Sequence, residues 1–451
     1  MKATLFTPLP PARTGVAHYA SMLIPELSKH VDLEVISTRN SATRQPDNPV
    51  YQLGNNPHHE WIYKRAMAQP GVVVLHDIVL HHLIVEMTLA RGDVDGYVEA
   101  LRANHGQAGA AWARGRAAGL HSEMGNFLLP ASIDVANRSR AVIVHNRYAA
   151  DRLRSLGVRT PIFVVGHPYA PRAPAPSSPS RTIGQFGFLT SAKRSGIVLE
   201  AFKQARKKTP DLRLLVVGEP APNIDTAVFA GEGITFTGFV EDQKFDAYFD
   251  AVDRLVNLRY PSAGETSGTL IRAFVAGKPV AVSDYAQFAE LPDECVAKIP
   301  FGENEVAALA DFFLRDLPDP AEAQRRWLEQ NARIDLTVEG YLKALDHSAL
   351  GTRHSALVSA SIPLFPELEI VRQRDNTLVI RNAGETTLRT AVYGEPGYRL
   401  IVNGEWRQLP RDLAPGQMAE IEVPHGTVTL AHALQGIPSV AEEGWGHVTV
   451  Q

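Results

Sequence analysis

Strand-like and helix-like runs alternate from residue 3 to about residue 300, and this alternation restricts the possible folds more than any other feature. Apolar runs separated by helices indicate parallel strands, because parallel neighbours need a long crossover connection. A first series comprises residues 3–9, 33–37, 72–76, 141–145 and 162–166. A second series comprises residues 182–189, 212–219, 234–240, 252–258, 278–284 and 295–300. The sequence therefore predicts an α/β protein with two parallel sheets wound with helices.

The two series are separated by residues 170–181, a stretch rich in Pro, Ser and Ala that is typical of a linker. From about residue 355 the pattern changes to short alternating runs with turn signals, which predict an antiparallel β-sandwich. Trp406 and Trp445 are expected in the core of that sandwich, and stacking on sugar rings is the alternative. The predicted domains are residues 1–170, residues 171–348 with closing helices, and residues 355–451.

Length and composition limit the class of protein. The 451 residues suggest about three domains, at roughly 150 residues each. Cys295 is the only cysteine, which excludes an internal disulfide, and we interpret it as a buried apolar residue. The N-terminus does not have the pattern of a signal peptide, and no run of about 18 apolar residues occurs. We therefore expect a cytoplasmic protein.

Charge is distributed unevenly along the chain. Residues 1–170 hold 17 Lys/Arg and 13 Asp/Glu, whereas the whole chain has a net charge of −4. This imbalance is too mild to indicate a nucleic-acid partner. It is typical of a solvated surface, and it leaves open a peripheral contact with an anionic inner membrane.

The segment PSAGETSGTLIRAF, residues 261–274, follows a strand-like run and leads into a helix with one apolar face. Free N–H groups at a helix start attract anions, and Gly264 and Gly268 allow a ligand to approach the backbone closely. A turn without a ligand is the alternative interpretation. We predict an anion site at Ser267, Gly268 and Thr269.

Three histidines lie at the ends of predicted strands: His76, His145 and His167. Ligands of wound α/β sheets bind beyond the carboxyl ends of the strands, although a histidine there can also be structural. His76, which Asp77 follows, is the strongest candidate, since an imidazole can hydrogen-bond to a sugar hydroxyl or a phosphate. Gly15 precedes a helix after the first strand, as Gly268 does in the second series. Because each wound domain has a glycine at such a turn, we expect one ligand clamped between the two domains.

Other charged residues have two interpretations. Lys193 and Arg194 follow a strand, where they either neutralise a diphosphate or lie in a solvated turn. Asp93 and Asp95 form an Asp-x-Asp of the kind that holds a metal ion, but their helix–turn–helix context favours N-capping. No His or Cys cluster has zinc spacing. We therefore predict no metal site.

Six segments in this order resemble glycosyltransferase family 4, a family of retaining enzymes with the GT-B fold. They are PLPPARTGVAHYA, GVVVLHDIVLHHL, AVIVHNRYAADRL, FGFLTSAKR followed by LLVVGE, ITFTGFVEDQKFDAYFDAVD and GETSGTLIRAFVAGKPVAVSD. The resemblance covers roughly residues 1–345. It implies an acceptor-side and a nucleotide-sugar domain, both Rossmann-like, with the nucleotide sugar between them. The C-terminal part is similar to immunoglobulin-like accessory domains of some polysaccharide glycosyltransferases.

The resemblance also implies roles for individual residues. His76 matches a strand-end histidine near the donor sugar and its phosphate. Lys193 matches a lysine that contacts the diphosphate, and Gly15 matches a glycine-rich loop under the donor. The residues implied to meet the base are Gly238, Phe239 and Val240.

The sequence departs from the family pattern at two places. The arginine of the family's Arg-x4-Lys pair would fall at Phe188, so Arg194 is the expected substitute. The family's Glu-x7-Glu would fall on Gly264 and Arg272, so Glu265, one residue along, is expected to touch the donor sugar hydroxyls. Arg272 cannot accept hydrogen bonds in the slot that binds ribose, and we assign it to the nucleotide site.

These features predict a retaining hexosyltransferase that moves a sugar from a nucleoside-diphosphate sugar to a hydroxyl of a glycan or lipid-linked oligosaccharide. His76 and Glu265 are the predicted catalytic residues. A phosphate oxygen of the leaving group would take the acceptor proton, so neither a separate base nor a cofactor is expected. The alternatives are a nucleotide-sugar epimerase of the same fold and a non-catalytic glycan-binding or scaffold protein.

Overall fold

Two parallel six-stranded sheets organise the first 351 residues of the chain. The computed structural model describes residues 1–12, 14–39, 46–120, 123–172, 180–351, 368–374, 377–382, 387, 397–402, 405–422, 426–433 and 447–450. The first sheet contains β1 (Lys2–Phe6), β2 (Asp32–Ile36), β3 (Pro49–Leu53), β4 (Val72–Leu75), β5 (Ala141–Val144) and β6 (Ile162–Val164). The second contains β7 (Thr182–Phe186), β8 (Arg213–Val217), β9 (Ile234–Phe236), β10 (Arg254–Asn257), β11 (Val280–Ser283) and β12 (Ala297–Ile299).

The spatial order of the strands is β2-β1-β3-β4-β5-β6 in the first sheet and β12-β11-β10-β7-β8-β9 in the second. Every pair of neighbours in both sheets is parallel. The short apolar runs of the sequence become buried strands because helices cover both faces of each sheet. The predicted α/β class with two wound domains is confirmed.

Helices of the first domain pack on both faces of the first sheet. They are α1 (Gly15–Leu27), α2 (Glu60–Ala68), α3 (His81–Met87), α4 (Val94–Ala117), α5 (Glu123–Leu128), α6 (Ile133–Arg138) and α7 (Arg147–Ser155). The side chain of Thr14 caps α1 by accepting a hydrogen bond from the backbone N of Ala17 at 3.1 Å. Tyr19, Leu23 and Leu27 follow the helical period and form the buried face of α1.

The helices of the second domain cover the second sheet in the same way. They are α8 (Ser195–Lys208), α9 (Asp242–Ala251), α10 (Gly268–Val275), α11 (Glu305–Leu314) and α12 (Ala321–Asn331). Short 3-10 turns complete the two domains at Pro57–His59, Leu89–Arg91, Ser191–Lys193, Thr226–Phe229 and Ala286–Phe288. Residues 173–179, most of the predicted linker, lie outside the described residues.

The last helix of the wound region, α13 (Ile334–Gly351), returns to the first domain. Tyr341, Ala344 and Leu345 are buried in one cluster with Leu5 and Tyr19, on the face of the first sheet that α1 also covers. The hydroxyl of Tyr341 accepts a hydrogen bond from the side chain of Gln52 at 3.0 Å. The second half of the chain thus completes the core of the first half.

Antiparallel strands make up the described part of the C-terminal region. One sheet contains β13 (Leu368–Arg374), β14 (Thr377–Asn382) and β17 (Met418–Glu422), and the other contains β15 (Gly397–Val402), β16 (Glu405–Gln408), β18 (Gly426–Ala433) and β19 (His447–Val450). The β-sandwich stays a prediction. The Trp406 side chain and Trp445 lie outside the described part of the structure. Among the described residues, no helix combines the length and apolar character needed to cross a membrane.

Candidate functional site

A cleft of about 1120 Å³ lies between the two wound domains, at the carboxyl ends of both sheets. Predicted site residues from both halves of the sequence line it. These are Gly15, His76, Lys193, Phe239, Val240, Glu265, Gly268, Thr269 and Arg272. The size is typical of a site for a ligand larger than a single sugar.

The N-terminus of α10 opens into this cleft. Ser267 caps the helix, since its Oγ accepts a hydrogen bond from the backbone N of Leu270 at 3.3 Å and donates one to Oδ1 of Asn257 at 3.1 Å. The backbone N–H groups of Gly268 and Thr269 have no hydrogen-bond partner among the described residues. The helix dipole adds a partial positive charge at this end. The geometry is that of an anion site.

Lys193 lies beside this helix end. Its Nζ donates a hydrogen bond to the backbone O of Phe186. The φ of +91° at Gly187 favours glycine, and a Cβ there would lie 2.8 Å from Nζ of Lys193 and 3.0 Å from Oγ1 of Thr269, so a larger residue would displace these groups. Burial and the neighbouring Arg259 lower the pKa of Lys193 well below its usual value. A bound anion would favour its charged form.

Arg259 is a site residue that the sequence analysis missed. It lies just beyond β10, is buried and lines the cleft. Its Nε donates to Oε1 of Glu265 at 2.8 Å, and its Nη1 donates to the backbone O of Leu258 at 3.1 Å. The sequence feature that could have identified Arg259 is its place as a cation directly after an apolar strand-like run, at the edge where ligands of α/β sheets bind.

Glu265 has more partners than the sequence suggests. In addition to Arg259, the backbone N of Ala263 donates to its Oε2 at 3.0 Å. Ser262 caps the turn by accepting a hydrogen bond from the backbone N of Gly264 at 2.9 Å and donating to Gln287 at 2.6 Å. A carboxylate has about four acceptor sites, so Glu265 keeps room for further hydrogen bonds.

The same turn connects the two domains. The backbone O of Ala263 accepts a hydrogen bond from the N of Ile78 at 2.8 Å, and the backbone O of Gly264 accepts one from Nδ2 of Asn146 at 2.9 Å. A Cβ at Gly264 would lie 2.8 Å from the side chain of Ile78, so the turn packs tightly on the first domain. The turn that leads to the anion site is therefore packed against the first-domain wall of the cleft.

The three strand-end histidines lie together on the first-domain wall. Nδ1 of His145 is 2.8 Å from the backbone O of Val165, and Nε2 of His145 is 3.1 Å from Nδ1 of His76. Because a carbonyl only accepts, His145 carries its proton on Nδ1, and Nε2 accepts from His76. Nε2 of His76 is enclosed and has no partner within the described residues.

Burial keeps this histidine group neutral. It lowers the pKa of His145 to about 4 and that of His167 to about 3, and it lowers the pKa of His76 as well. Tyr19 packs against all three rings, with centroid distances of 4.7 to 5.1 Å. The positive charge available to an anion in the cleft therefore comes from the second domain.

Asp77, next to His76, also lines the cleft. Its Oδ2 accepts a hydrogen bond from the backbone N of Asn55 at 2.9 Å. Burial, followed by the negative charge of Glu265, raises the pKa of Asp77 to about 7. A carboxyl in this range can give or take a proton near neutral pH.

An arginine–carboxylate pair lies further along α10. Nη1 of Arg272 donates to Oδ1 of Asp246 at 2.9 Å, and the guanidinium carbon lies 5.0 Å from the centre of the Phe245 ring. Nearby, Phe239 exposes 46% of its surface, beside Val240. Gly238, with φ of +66°, shapes this loop but does not line the cleft. This region offers an apolar face next to polar groups.

Some predicted residues lie elsewhere. Arg194 turns away from the cleft wall, because its Nε donates to Glu305 at 2.6 Å and its guanidinium carbon lies 4.9 Å from the centre of the Phe301 ring. Ser267 is buried behind the cleft as a cap. Asp93 caps α4 by accepting from the backbone N of Gly96 at 2.8 Å, as its sequence context predicts. Cys295 is buried. Within the described ranges no group of three or more His, Cys, Asp or Glu is placed to hold a metal ion.

Sequence comparisons find similarity to glycosyltransferases. Residues 180–319 match the family model described as glycosyl transferases group 1. The 2-deoxystreptamine glucosyltransferase of Streptomyces kanamyceticus is 28% identical over 165 residues, which cover 34% of this chain and 42% of that protein. The chain thus matches less than half the length of this curated relative.

A solved structure shows the same fold at low identity. Sucrose-phosphate synthase from Thermosynechococcus elongatus is similar with a TM-score of 0.50 and 14% identity, covering 78% of this chain and all of that one. HepE of Anabaena, solved with UDP and glucose, has a TM-score of 0.47 and 14% identity over 77% of this chain and all of that one. The two wound domains therefore have the GT-B fold, and residues 180–319 are similar in sequence to group 1 glycosyl transferases.

Proposed function

We propose that this protein is a retaining glycosyltransferase that moves a sugar from a nucleoside-diphosphate sugar to a hydroxyl of a glycan or lipid-linked oligosaccharide. The observation that carries the proposal is the convergence of the α10 N-terminus, Lys193 and Arg259 on one side of the interdomain cleft. Free backbone N–H groups and two cations together match the charge of a diphosphate. The family match of residues 180–319 supports the same assignment.

The leaving diphosphate sets the main physical demand of the reaction. The bond between the anomeric carbon and the phosphate oxygen breaks, while positive charge grows on the anomeric carbon and negative charge grows on the phosphate. Fixed donors that point at the phosphate lower this barrier without reorganising during the reaction. Lys193, Arg259 and the amides of Gly268 and Thr269 would fill this role. Arg259 takes the place that the sequence assigned to Arg194.

Retention follows when the acceptor hydroxyl attacks from the side that the diphosphate leaves. The hydroxyl oxygen then bonds to the anomeric carbon, and its proton passes to a phosphate oxygen of the leaving group. The scheme needs no metal ion or other cofactor. A closing motion of the two domains would exclude water from the site.

His76 and Glu265 keep roles in this proposal, with different chemistry from each other. Glu265 fixes Arg259 and has acceptor sites left for a hydroxyl of the donor sugar. His76 is neutral, so it would orient the donor as part of the cleft wall without adding charge. Gly15 leaves open space under the donor, since no atom lies within 4 Å of a Cβ built there.

The acceptor side of the proposal rests on sequence pattern. The C-terminal strands would form an immunoglobulin-like accessory β-sandwich that contacts a glycan. The basic first domain would allow peripheral contact with an anionic membrane. The accessory-domain proposal is testable by removing residues 355–451 and measuring acceptor use, while donor hydrolysis reports that the wound domains remain intact.

The test of the main proposal is a panel of nucleotide sugars. The purified protein is expected to bind one donor and to release its nucleoside diphosphate slowly, and faster with a suitable glycan acceptor. Lys193→Ala should weaken nucleoside diphosphate binding about tenfold or more, because a charged hydrogen bond is lost. Lys207→Ala, an exposed cation on α8, is the matched control. Equal binding by Lys193→Ala and the parent would refute the diphosphate site.

Asp77 favours the epimerase as a second candidate. Inversion of a sugar carbon needs an acid and a base beside the sugar, and the carboxyl of Asp77 has a pKa of about 7. An epimerase would change the donor sugar without an acceptor. The same panel, followed by NMR of the sugar, separates the two reactions. Binding without turnover of any donor would favour the scaffold.

A further inference from the structure

The cleft-facing side of α10 continues beyond the proposed diphosphate site. Gly268, Thr269, Arg272 and Val275 all line the cleft. One helical turn rises about 5.4 Å, and residues four apart lie on the same face, so Arg272 follows Gly268 along the cleft wall. In a nucleoside diphosphate the ribose is joined directly to the inner phosphate. A diphosphate bound at the helix end with its inner phosphate toward Arg272 would therefore bring the ribose near this residue.

Arginine has only donors, so Arg272 cannot accept hydrogen bonds from the two hydroxyls of a ribose. Its partner Asp246 can. Oδ1 of Asp246 accepts from Nη1 of Arg272 at 2.9 Å, and Asp246 lines the cleft with 43% of its side chain exposed. Oδ2 of Asp246 has no hydrogen-bond partner among the described residues. A carboxylate that is oriented by one arginine and open on one side suits a hydroxyl group.

Two other carboxylates line this part of the cleft. Glu219 and Glu241 are exposed, and neither side chain has a hydrogen bond or ion pair within the described part of the chain. A side chain without an orienting partner loses more conformational freedom when it binds a ligand. Asp246 is therefore the carboxylate best prepared to bind.

We propose that Asp246, oriented by Arg272, accepts hydrogen bonds from the ribose hydroxyls of the bound nucleotide. This inference rests on the proposed function, since it assumes a nucleoside diphosphate on α10. It makes Asp246 a specificity residue that distinguishes a ribonucleotide from a nucleotide without these hydroxyls. It also gives Arg272 a positioning role in place of a direct contact with the hydroxyls.

The experiment compares two ligands and two variants of the full-length protein by calorimetry. The ligands are whichever of UDP, GDP and ADP binds most tightly and its 2′,3′-dideoxy form. The variants are Asp246→Ala and Asp250→Ala. Asp250 is the matched control, because it lies one turn along α9, pairs with an arginine as Asp246 does and does not itself line the cleft, although its partner Arg172 does. Circular dichroism and a thermal melt check that both variants fold.

The parent and Asp250→Ala are expected to bind the ribonucleotide about tenfold more tightly than its dideoxy form, as for a hydrogen bond to a charged group. Asp246→Ala should bind both forms equally. The inference is overturned if Asp246→Ala keeps the tenfold preference, or if the parent shows none. If no nucleoside diphosphate binds the parent at all, the proposed function fails and the inference fails with it. An unfolded Asp246→Ala would be replaced by Asp246→Leu, judged by the same preference.

Discussion

Asp77 and Lys193 come from different domains, and removal from water drives each of them toward its neutral form. The ligand-free cleft therefore carries less charge than its residues suggest. A bound diphosphate would restore the charge of Lys193 by its own field. Charge at this site is set by burial as much as by residue type.

The raised pKa of Asp77 predicts a pH-dependent stability. Its folded pKa of about 7 lies above the usual 3.8, so the ionised carboxyl costs stability that grows as the pH rises through this window. Asp77→Asn removes this cost. We expect the melting temperature of Asp77→Asn minus that of the parent, measured by differential scanning fluorimetry, to be larger at pH 8 than at pH 4. Asp284→Asn, at an exposed carboxyl, should show a constant difference. If the melting temperature of Asp77→Asn also differs from that of the parent by the same amount at both pH values, the raised pKa of Asp77 is contradicted.

Single residues were predictable where their place in a strand or turn determined their position. His76 and Lys193 reach the cleft because each follows a buried strand. Arg259 follows a strand as well, but its role depends on Glu265, six positions along, whose side chain the turn folds back. Arg194 looked equivalent to Lys193, yet Glu305, 111 positions away, draws it elsewhere. Partner choice of this kind is decided by tertiary packing, which no local pattern contains.

Among the secondary-structure elements, α10 is the one whose N-terminus forms the proposed anion site. Gly, Ser and Thr before one apolar face predict a helix start, and the helix begins at Gly268 with Ser267 as its cap. The sequence therefore located the proposed anion site by ordinary capping rules. It did not locate the carboxylate on the neighbouring helix α9, because the pair Asp246–Arg272 exists only once the two helices pack together.

Ser267→Ala should affect both stability and ligand binding. The cap is worth about 1 kcal/mol, and the buried Asn257 also loses its partner. We expect a lower free energy of unfolding by urea denaturation and weaker nucleoside diphosphate binding by calorimetry. Asp93→Ala removes a comparable cap from α4, away from the cleft, and should reduce stability alone. Unchanged ligand affinity in Ser267→Ala would separate the cap from the anion site.

At the scale of the whole molecule, the turn that precedes α10 joins the two wound domains. The backbone of Ala263 and Gly264 bonds to the first domain, while Glu265 holds Arg259 in the second. Alternating strands and helices predicted both domains, because each sheet is specified by its own apolar runs. The contacts at this turn were not predictable, since backbone carbonyls, a glycine and the side chain of Asn146 carry them.

Gly264→Ala tests this junction. Both Gly264 and Gly302 have positive φ, at +72° and +111°, so alanine strains the backbone at either position. Only at Gly264 would the added Cβ also meet Ile78, at 2.8 Å, whereas nothing lies within 4 Å at Gly302. We expect both variants to melt earlier and Gly264→Ala alone to show a larger radius of gyration by X-ray scattering. Equal radii for the two variants would contradict a tight junction.

The return of α13 to the first domain decides how this protein can be divided. A fragment that ends before Ile334 would expose the apolar surface that Tyr341 and Leu345 cover on the first sheet. A chimaera that replaces the second wound domain must therefore be joined at two points, one between Arg172 and Ser180 and one between Asn331 and Ile334. In sequence, the second wound domain is therefore an insertion between the first 172 residues and helix α13, which together form the first domain.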